Sequence, residues 1–224
     1  FMQAEIFRIK AKYANAYLVT NGKDNILIDT GFPSSTIRIK KALDRLHVKN
    51  LSLILITHGH IDHVGSAGSL KEMYGAPVAM HPADMPKLTR EGREEPKGRN
   101  LIGTVLAKVV FNYFTILSSQ PEPVDIDIKL HNNFSLTDFG FDGTVYHTPG
   151  HTMGSVIVVI DGFAVVGDTI TKLFKPIPAF FIEDVKSLWK SIEFIRNLDL
   201  EWIYPGHGKA FRFKELEKLN IPER

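Results

Sequence analysis

Cysteine is missing from all 224 residues, so neither disulfides nor thiolate-held metals are open to this chain. A one-sided charge is missing too. Lys and Arg number 27 against 25 Asp and Glu, a net charge of +2. Nucleic-acid binders show a basic excess, and this balance offers none. The longest apolar run, LIGTVLAKVVFNYFTIL at 101–117, is broken by Lys108 and falls short of the ~20 residues that a membrane span needs. The opening FMQAEIFRIK has no signal-peptide apolar core. These absences predict a soluble, cytoplasmic protein with no membrane or nucleic-acid partner. They leave any metal to His, Asp and Glu.

What is present supports a sizeable core. Apolar residues make up 44% of the chain, enough for one domain over residues 1–224. AEIFRIK, NAYLVT and NILIDTG read as short strands, with Asn21-Gly22 as a hairpin turn. Residues 33–47 have helical spacing behind a Ser/Thr cap. A buried strand follows at 51–57, then a helix through Lys71–Met73 and a further strand in 76–82. Residues 83–124 differ in character: a charged stretch punctuated by Gly and Pro precedes the apolar segment 101–117, which reads as a helix. They predict an insertion that covers something, because they are too few to bury a core of their own. From 126 the chain returns to short strands, then a helix at 183–198 and the segment EWIYPGHG.

One internal repeat organises these elements. YLVTNGKDNILIDTG (17–31) and VIVVIDGFAVVGDT (156–169) are both apolar hairpins that end in Asp-Thr. Each is followed by an amphipathic helix, an apolar strand and a His-Gly loop, so that Asp29 pairs with Asp168 and His58 with His207. Two such halves packed face to face predict an α/β fold, a four-layer αββα sandwich, with both Asp and both His along one edge.

That edge collects metal-binding chemistry. LSLILITHGHIDHVG places His58, His60, Asp62 and His63 directly after an apolar run. HTPGHTMGS offers His151, VVGDT offers Asp168, and YPGHG offers His207. Imidazole and carboxylate donors suit Zn²⁺, with Fe or Mn²⁺ also accommodated. A lone zinc takes about three protein ligands, so five histidines and two aspartates are too many for one ion and suit two. In a two-metal site a bridging water becomes the nucleophile while the metals polarise the substrate oxygen. The expectation is hydrolysis of a small molecule with no protein nucleophile and no organic cofactor. Gly59 and Gly65 read as clearance for the metals.

THGHIDHVG matches the H-x-H-x-D-H motif of the metallo-β-lactamase superfamily, and TPGHT, GDT and PGHG match its later metal motifs in order and spacing. The resemblance spans essentially the whole chain. It implies that His58, His60 and His151 hold one metal, that Asp62, His63 and His207 hold the other, and that Asp168 bridges them. It also implies that Asp29 is the structural aspartate partnering a ligand, and that Asp62 passes a proton to the leaving group. The remaining histidines take plainer roles: His47 at a helix C-terminus, His131 in a loop, His147 beside a ligand, and His81 an ordinary structural residue, with lining the pocket as its alternative.

Within the superfamily, an Asp at 168 is unlike the Cys of class B1 and B2 β-lactamases. The chain resembles glyoxalase II-like thioesterases in TPGHT and GDT, but with only residues 208–224 after His207 in this sequence their helical glutathione-gripping domain is not expected. It resembles lactonases in size, yet GDTITKLF has no tyrosine where they carry one. The reading is therefore a dinuclear hydrolase of a lactone, thioester or related ester-like substrate. A mononuclear iron sulfur-dioxygenase and a phosphodiesterase are the alternatives on the same scaffold. The insertion and the loop KLFKPIPAFFIED (172–184) are expected over the metals. They bring Phe111, Tyr113, Phe114, Phe174, Phe180 and Phe181 with Lys172 and Lys175, as an apolar pocket wall with a cation or as core or a homodimer interface.

Overall fold

The computed structural model describes residues 3–89 and 121–219. β1 (Glu5–Ala11), β2 (Ala14–Thr20) and β3 (Asn25–Ile28) form an antiparallel meander. After α1 (Thr36–Arg45) the chain returns as β4 (Leu53–Leu55), parallel to β3. The short α2 (Ile61–Val64) and α3 (Ala67–Tyr74) lead to β5 (Val78–Met80), and β6 (Ile128–Lys129) completes a sheet of order β1-β2-β3-β4-β5-β6. The second half adds β7 (Phe134–Ser135), β8 (Gly143–His147), β9 (Val156–Ile160) and β10 (Phe163–Gly167). A small hairpin follows, β11 (Ile170–Lys172) and β12 (Pro176–Pro178), then α4 (Val185–Arg196), β13 (Trp202–Pro205) and β14 (Phe211–Arg212). The second sheet runs β14-β13-β10-β9-β8-β7.

Alternation of side chains along the strands sorts the core into three layers, since successive residues point to opposite faces. Tyr17, Val19, Ile26, Ile28, Leu53 and Leu55 meet Val145, Val156, Val158 and Val165 between the two sheets. Their neighbours Leu18, Leu27, Ile54 and Val78 face outward against Ile39 and Leu43 of α1 and Leu70 of α3. Ile157, Ala164, Val166 and Ile203 face outward on the other side against Leu188, Ile192 and Ile195 of α4. Helices thus cover both outer faces, giving the four-layer αββα arrangement. Strands buried on both faces are continuous apolar runs, as LILI and VIVVI are.

The repeat is present in the topology. β2-β3-α1-β4 and β9-β10-α4-β13 share strand order and sense, antiparallel and then parallel. The backbone repeats the same device at its functional edge. Thr30 donates through N and Oγ1 to the His63 carbonyl at 2.6 and 2.9 Å. In the other half Lys172 N and Thr171 Oγ1 donate to the His207 carbonyl at 3.3 and 2.9 Å.

Several sequence expectations need correction. α1 is not capped by a Ser/Thr side chain: Ser35 Oγ donates instead to the Ala11 carbonyl at 3.2 Å, tying the helix start to β1. Residues 172–184 are not a plain loop, because their first part closes the β11–β12 hairpin with Phe174 wholly exposed at its tip. Of the segment 83–124, the described part begins with a 3-10 turn at Pro82–Leu88, while the apolar stretch 101–117 with Phe111, Tyr113 and Phe114 lies outside the described residues. No helix among the described residues is long and apolar enough to cross a membrane.

Leu55→Ala, between the sheets, should lower unfolding stability in urea by ~2–5 kcal/mol through the cavity it leaves. Phe174→Ala, with nothing buried to lose, should stay within ~0.5 kcal/mol of the parent.

Candidate metal centre

All seven donors singled out in the sequence meet at one edge of the sandwich. His58, His60, Asp62 and His63 follow β4, His151 follows β8, Asp168 follows β10 and His207 follows β13. In α/β sheets ligands bind beyond the carboxyl ends of the strands, where chain direction changes open a crevice. The chain leaves β4 extended through His60, and the single turn of α2 then swings Asp62 and His63 round.

Three sets of three donors have ligand atoms within 4.8 Å of one another: His58 with His60 and His151, Asp62 with His63 and His207, and His58 with His63 and Asp168. Asp168 lies between the first two sets. Its Oδ2 is 3.2 Å from His207 Nε2 and 3.8 Å from His151 Nε2, and its Oδ1 is 3.4 Å from His63 Nε2. Asp62 Oδ2 is 3.2 Å from His207 Nε2. Among the described residues, His58 Nε2, His63 Nε2 and Asp168 Oδ1 are buried without a hydrogen-bond partner. Buried polar atoms left unpaired cost on the order of 1–3 kcal/mol each. A cation held by these lone pairs would satisfy all of them, so the residues present fit a metal.

The opposite ring nitrogens fix the tautomers. His151 Nδ1 meets the Phe181 carbonyl at 2.7 Å and His207 Nδ1 meets the Tyr13 carbonyl at 3.0 Å. A carbonyl has no proton to give, so each Nδ1 carries the hydrogen and Nε2 keeps its lone pair for the centre. His63 Nδ1 donates likewise to Asp29 Oδ2 at 2.8 Å. Thr57 Oγ1 lies 3.0 and 2.8 Å from the two Asp29 oxygens and 3.1 Å from His58 Nδ1. Its one proton goes to the carboxylate, so it accepts from His58. His60 is the exception, presenting Nδ1 to His151 Nε2 at 3.0 Å.

Electrostatics divide the centre into two. Burial, then the neighbouring histidines, push His58 well down, and burial followed by His60 lowers His151 to about 4. That group is a set of neutral imidazoles. Burial also opposes charge on His63 and His207, but Asp168 and the other nearby carboxylates outweigh it and raise them to about 10 and about 12. Burial would raise Asp62 and Asp168, yet His63 and His207 hold both below the usual carboxylate range. Two carboxylates facing two imidazolium rings mark a place that attracts positive charge.

Residues 9–207 match the sequence profile of the metallo-beta-lactamase superfamily. The chain belongs to that superfamily. It is 26% identical over 212 residues to a probable metallo-hydrolase of Methanocaldococcus jannaschii, covering 91% of this chain and 94% of that protein. An uncharacterized protein of Mycobacterium leprae is 30% identical over 204 residues, 88% of this chain and 87% of the relative. The crystal structure of TTHA1623 in a di-iron-bound form superposes with a TM-score of 0.71 at 28% identity, covering 96% of both chains. A superfamily protein from Sulfolobus tokodaii shares the fold, with a TM-score of 0.72 at 21% identity over 97% of this chain and 84% of the other.

For this superfamily member, several supporting residues were invisible to motif reading. Thr57 looks like the tail of an apolar strand. Asn15 and Tyr17 sit on β2, and both donate to the Pro205 carbonyl, at 2.9 and 2.6 Å, beneath the His207 loop. Gly59 and Gly65 do not clear space for metals: a Cβ on Gly59 would press on Asp84 and Lys87, and one on Gly65 on Pro33. The glycine at the centre is Gly206, whose Cβ would strike Asp168 and lie 2.6 Å from His63 Cε1.

The other candidates fall outside the donor sets among the described residues. His81 and His147 stack at 4.0 Å and 9°, and His147 Nε2 donates to the Met153 carbonyl at 2.8 Å. His47 and His131 are exposed. Lys172 pairs with Glu215 at 2.7 Å, so its charge is already spent within the protein, while Lys175 is exposed.

Two outcomes follow from this geometry. Metal uptake by the metal-free protein at neutral pH should expel the protons held on His63 and His207, on the order of two per chain, read by calorimetry in buffers of different ionisation enthalpy. Thr57→Val should weaken metal binding by roughly 10–100-fold, because His58 Nδ1 loses its acceptor.

Proposed function

We propose that this protein is a two-metal hydrolase acting on a small ester-like substrate, a lactone, thioester or related compound. Superfamily membership and a donor set of imidazoles and carboxylates support a metal-dependent hydrolase. The observation that carries the dinuclear reading is the placement of Asp168 between two separate three-donor groups, its Oδ2 3.8 Å from His151 Nε2 of one and 3.2 Å from His207 Nε2 of the other. The di-iron form of a structural relative at 28% identity agrees with it. His58, His60 and His151 would hold one ion, Asp62, His63 and His207 the other, and Asp168 would reach both. Zinc is the ion these donors suit best, and iron or manganese fit the same set. The same reading takes residues 1–224 as one catalytic domain, because the centre draws ligands from both halves.

When bound, two divalent ions would acidify a water and polarise a carbonyl or phosphoryl oxygen. The chain supplies orientation and proton transfer. Asp29, Thr57 and the carbonyls of Phe181 and Tyr13 hold four imidazoles with their lone pairs aimed at the centre. Asp62, kept ionised and only partly buried, takes the proton that the attacking water releases and passes it to the leaving oxygen or sulfur. Gly206 keeps the approach to Asp168 and His63 open. Lys172, engaged with Glu215, does not grip the substrate.

Elemental analysis of the purified protein should return two metal ions per chain, and a panel of lactones, thioesters, phosphodiesters and β-lactams should show hydrolysis of an ester-like member. Asp168→Ala should lose one ion and at least ~10³-fold in kcat/KM, about 4 kcal/mol of transition-state stabilisation. Full hydrolysis in that variant, or a single iron per chain with oxygen uptake on a persulfide, would reject the reading.

A further inference from the structure

One buried carboxylate has no part in the chemistry above. Asp84 sits in the 3-10 turn Pro82–Leu88 that follows β5, and it is fully enclosed. Its Oδ2 accepts from Gly59 N at 2.8 Å and from Thr152 Oγ1 at 2.6 Å. Its Oδ1 accepts from Gly154 N and from Lys87 Nζ, both at 2.9 Å. An ionised carboxylate has about four acceptor sites, and here all four are taken.

The partners are placed tellingly. Gly59 lies between His58 and His60, and Thr152 directly follows His151. One side chain therefore bonds beside every member of the three-histidine group, from an element that contributes no donor to it. His60 Nδ1 and His151 Nε2 stand 3.0 Å apart, a ring-to-ring hydrogen bond between the two loops. A metal that took the His151 Nε2 lone pair would end that bond, and the two loops would then have to be held from outside. The clamp is tightly built: a Cβ on Gly154 would lie 2.6 Å from Asp84 Cβ, and one on Gly59 would lie 3.0 Å from Lys87 Cβ. Lys87 also reaches Glu183 at 3.1 Å, whose other oxygen accepts from Met153 N at 2.7 Å. A buried ion pair is often no more stabilising than well-packed apolar residues, so stability alone is a weak reason for this network.

We propose that Asp84 is a positioning residue that locks the His58–His60 loop against the His151 loop and so presets the three-histidine metal site. The proposal rests on the two-metal reading above. Its test is zinc affinity at each site, measured by competition with a coloured chelator. Asp84→Asn keeps the size but turns one acceptor into a donor that faces other donors. It should lose roughly 10–100-fold in affinity at the three-histidine site while the Asp62–His63–His207 site still loads. Thr152→Val, which removes one of the four bonds, should lose less at the same site, and Thr152→Ser, which keeps the hydroxyl, should bind as the parent does. Two unchanged affinities in Asp84→Asn, or in Thr152→Val if Asp84→Asn does not fold, would overturn the proposal. So would equal losses at both sites, which signal general loosening. A parent protein that takes up no zinc removes the two-metal reading itself. A parent that takes two, with unaltered variants, removes only the role of Asp84.

Discussion

The Asp29 carboxylate, buried where β3 ends, dictates the direction of half the centre. It accepts from Thr57 N at 2.8 Å and from the Thr57 hydroxyl, and it accepts from His63 Nδ1 at 2.8 Å. Through these bonds it turns His63 directly and His58 through Thr57, so that one Nε2 lone pair belongs to each donor group. To do so Asp29 takes a left-handed backbone, φ 61°, a conformation that Asp tolerates better than most residues. The neighbouring strand ends then follow: Thr30, directly after Asp29, binds the His63 carbonyl, and in the other half Thr171 and Lys172 bind the His207 carbonyl. Asp168, the twin of Asp29, carries the same residue type at the same point of the fold and faces the centre instead.

Charge explains why such a site demands a cation. Asp62 and Asp168 stay ionised although burial opposes it, because His63 and His207 answer them with protons. The imidazoles of the other group remain neutral. A proton is the smallest cation that can serve in the carboxylate half, and it leaves the buried His58 and His63 Nε2 atoms unsatisfied. A metal ion would supply what the protons do not, an attraction for lone pairs from several directions at once. The backbone carbonyls of Tyr13 and Phe181 prepare for that by occupying the far nitrogens of His207 and His151. Hydrolytic chemistry of the superfamily kind needs this combination of fixed donors and concentrated positive charge.

Much of this was legible in the residues. Period-two alternation and apolar runs marked most strands, and the spacing of THGHIDHVG marked the first donors. The β11–β12 hairpin was not legible, because its strands are three residues long and carry two prolines, which read as loop. Thr57 was hidden at the end of an apolar strand, and its importance lies in one proton. Asp84 had no motif at all: its partners Gly59, Thr152 and Gly154 lie 25, 68 and 70 residues away. Gly59 and Gly65 looked like space for a ligand, but their space is filled by packed neighbours.

The sequence by itself determined the kinds of donor, their order, the absence of thiolates and the repeat that brings two halves to one edge. Those properties are local, written in residue type and period. The grouping of the donors came from the family resemblance of the motifs, and tertiary structure alone decided the distances between them and which nitrogen of each ring faces inward. Those outcomes depend on contacts such as His60 with His151, 91 residues apart, and on carbonyls that any residue carries. No residue type announces where its backbone oxygen will point, so the aim of the histidines waits for the fold.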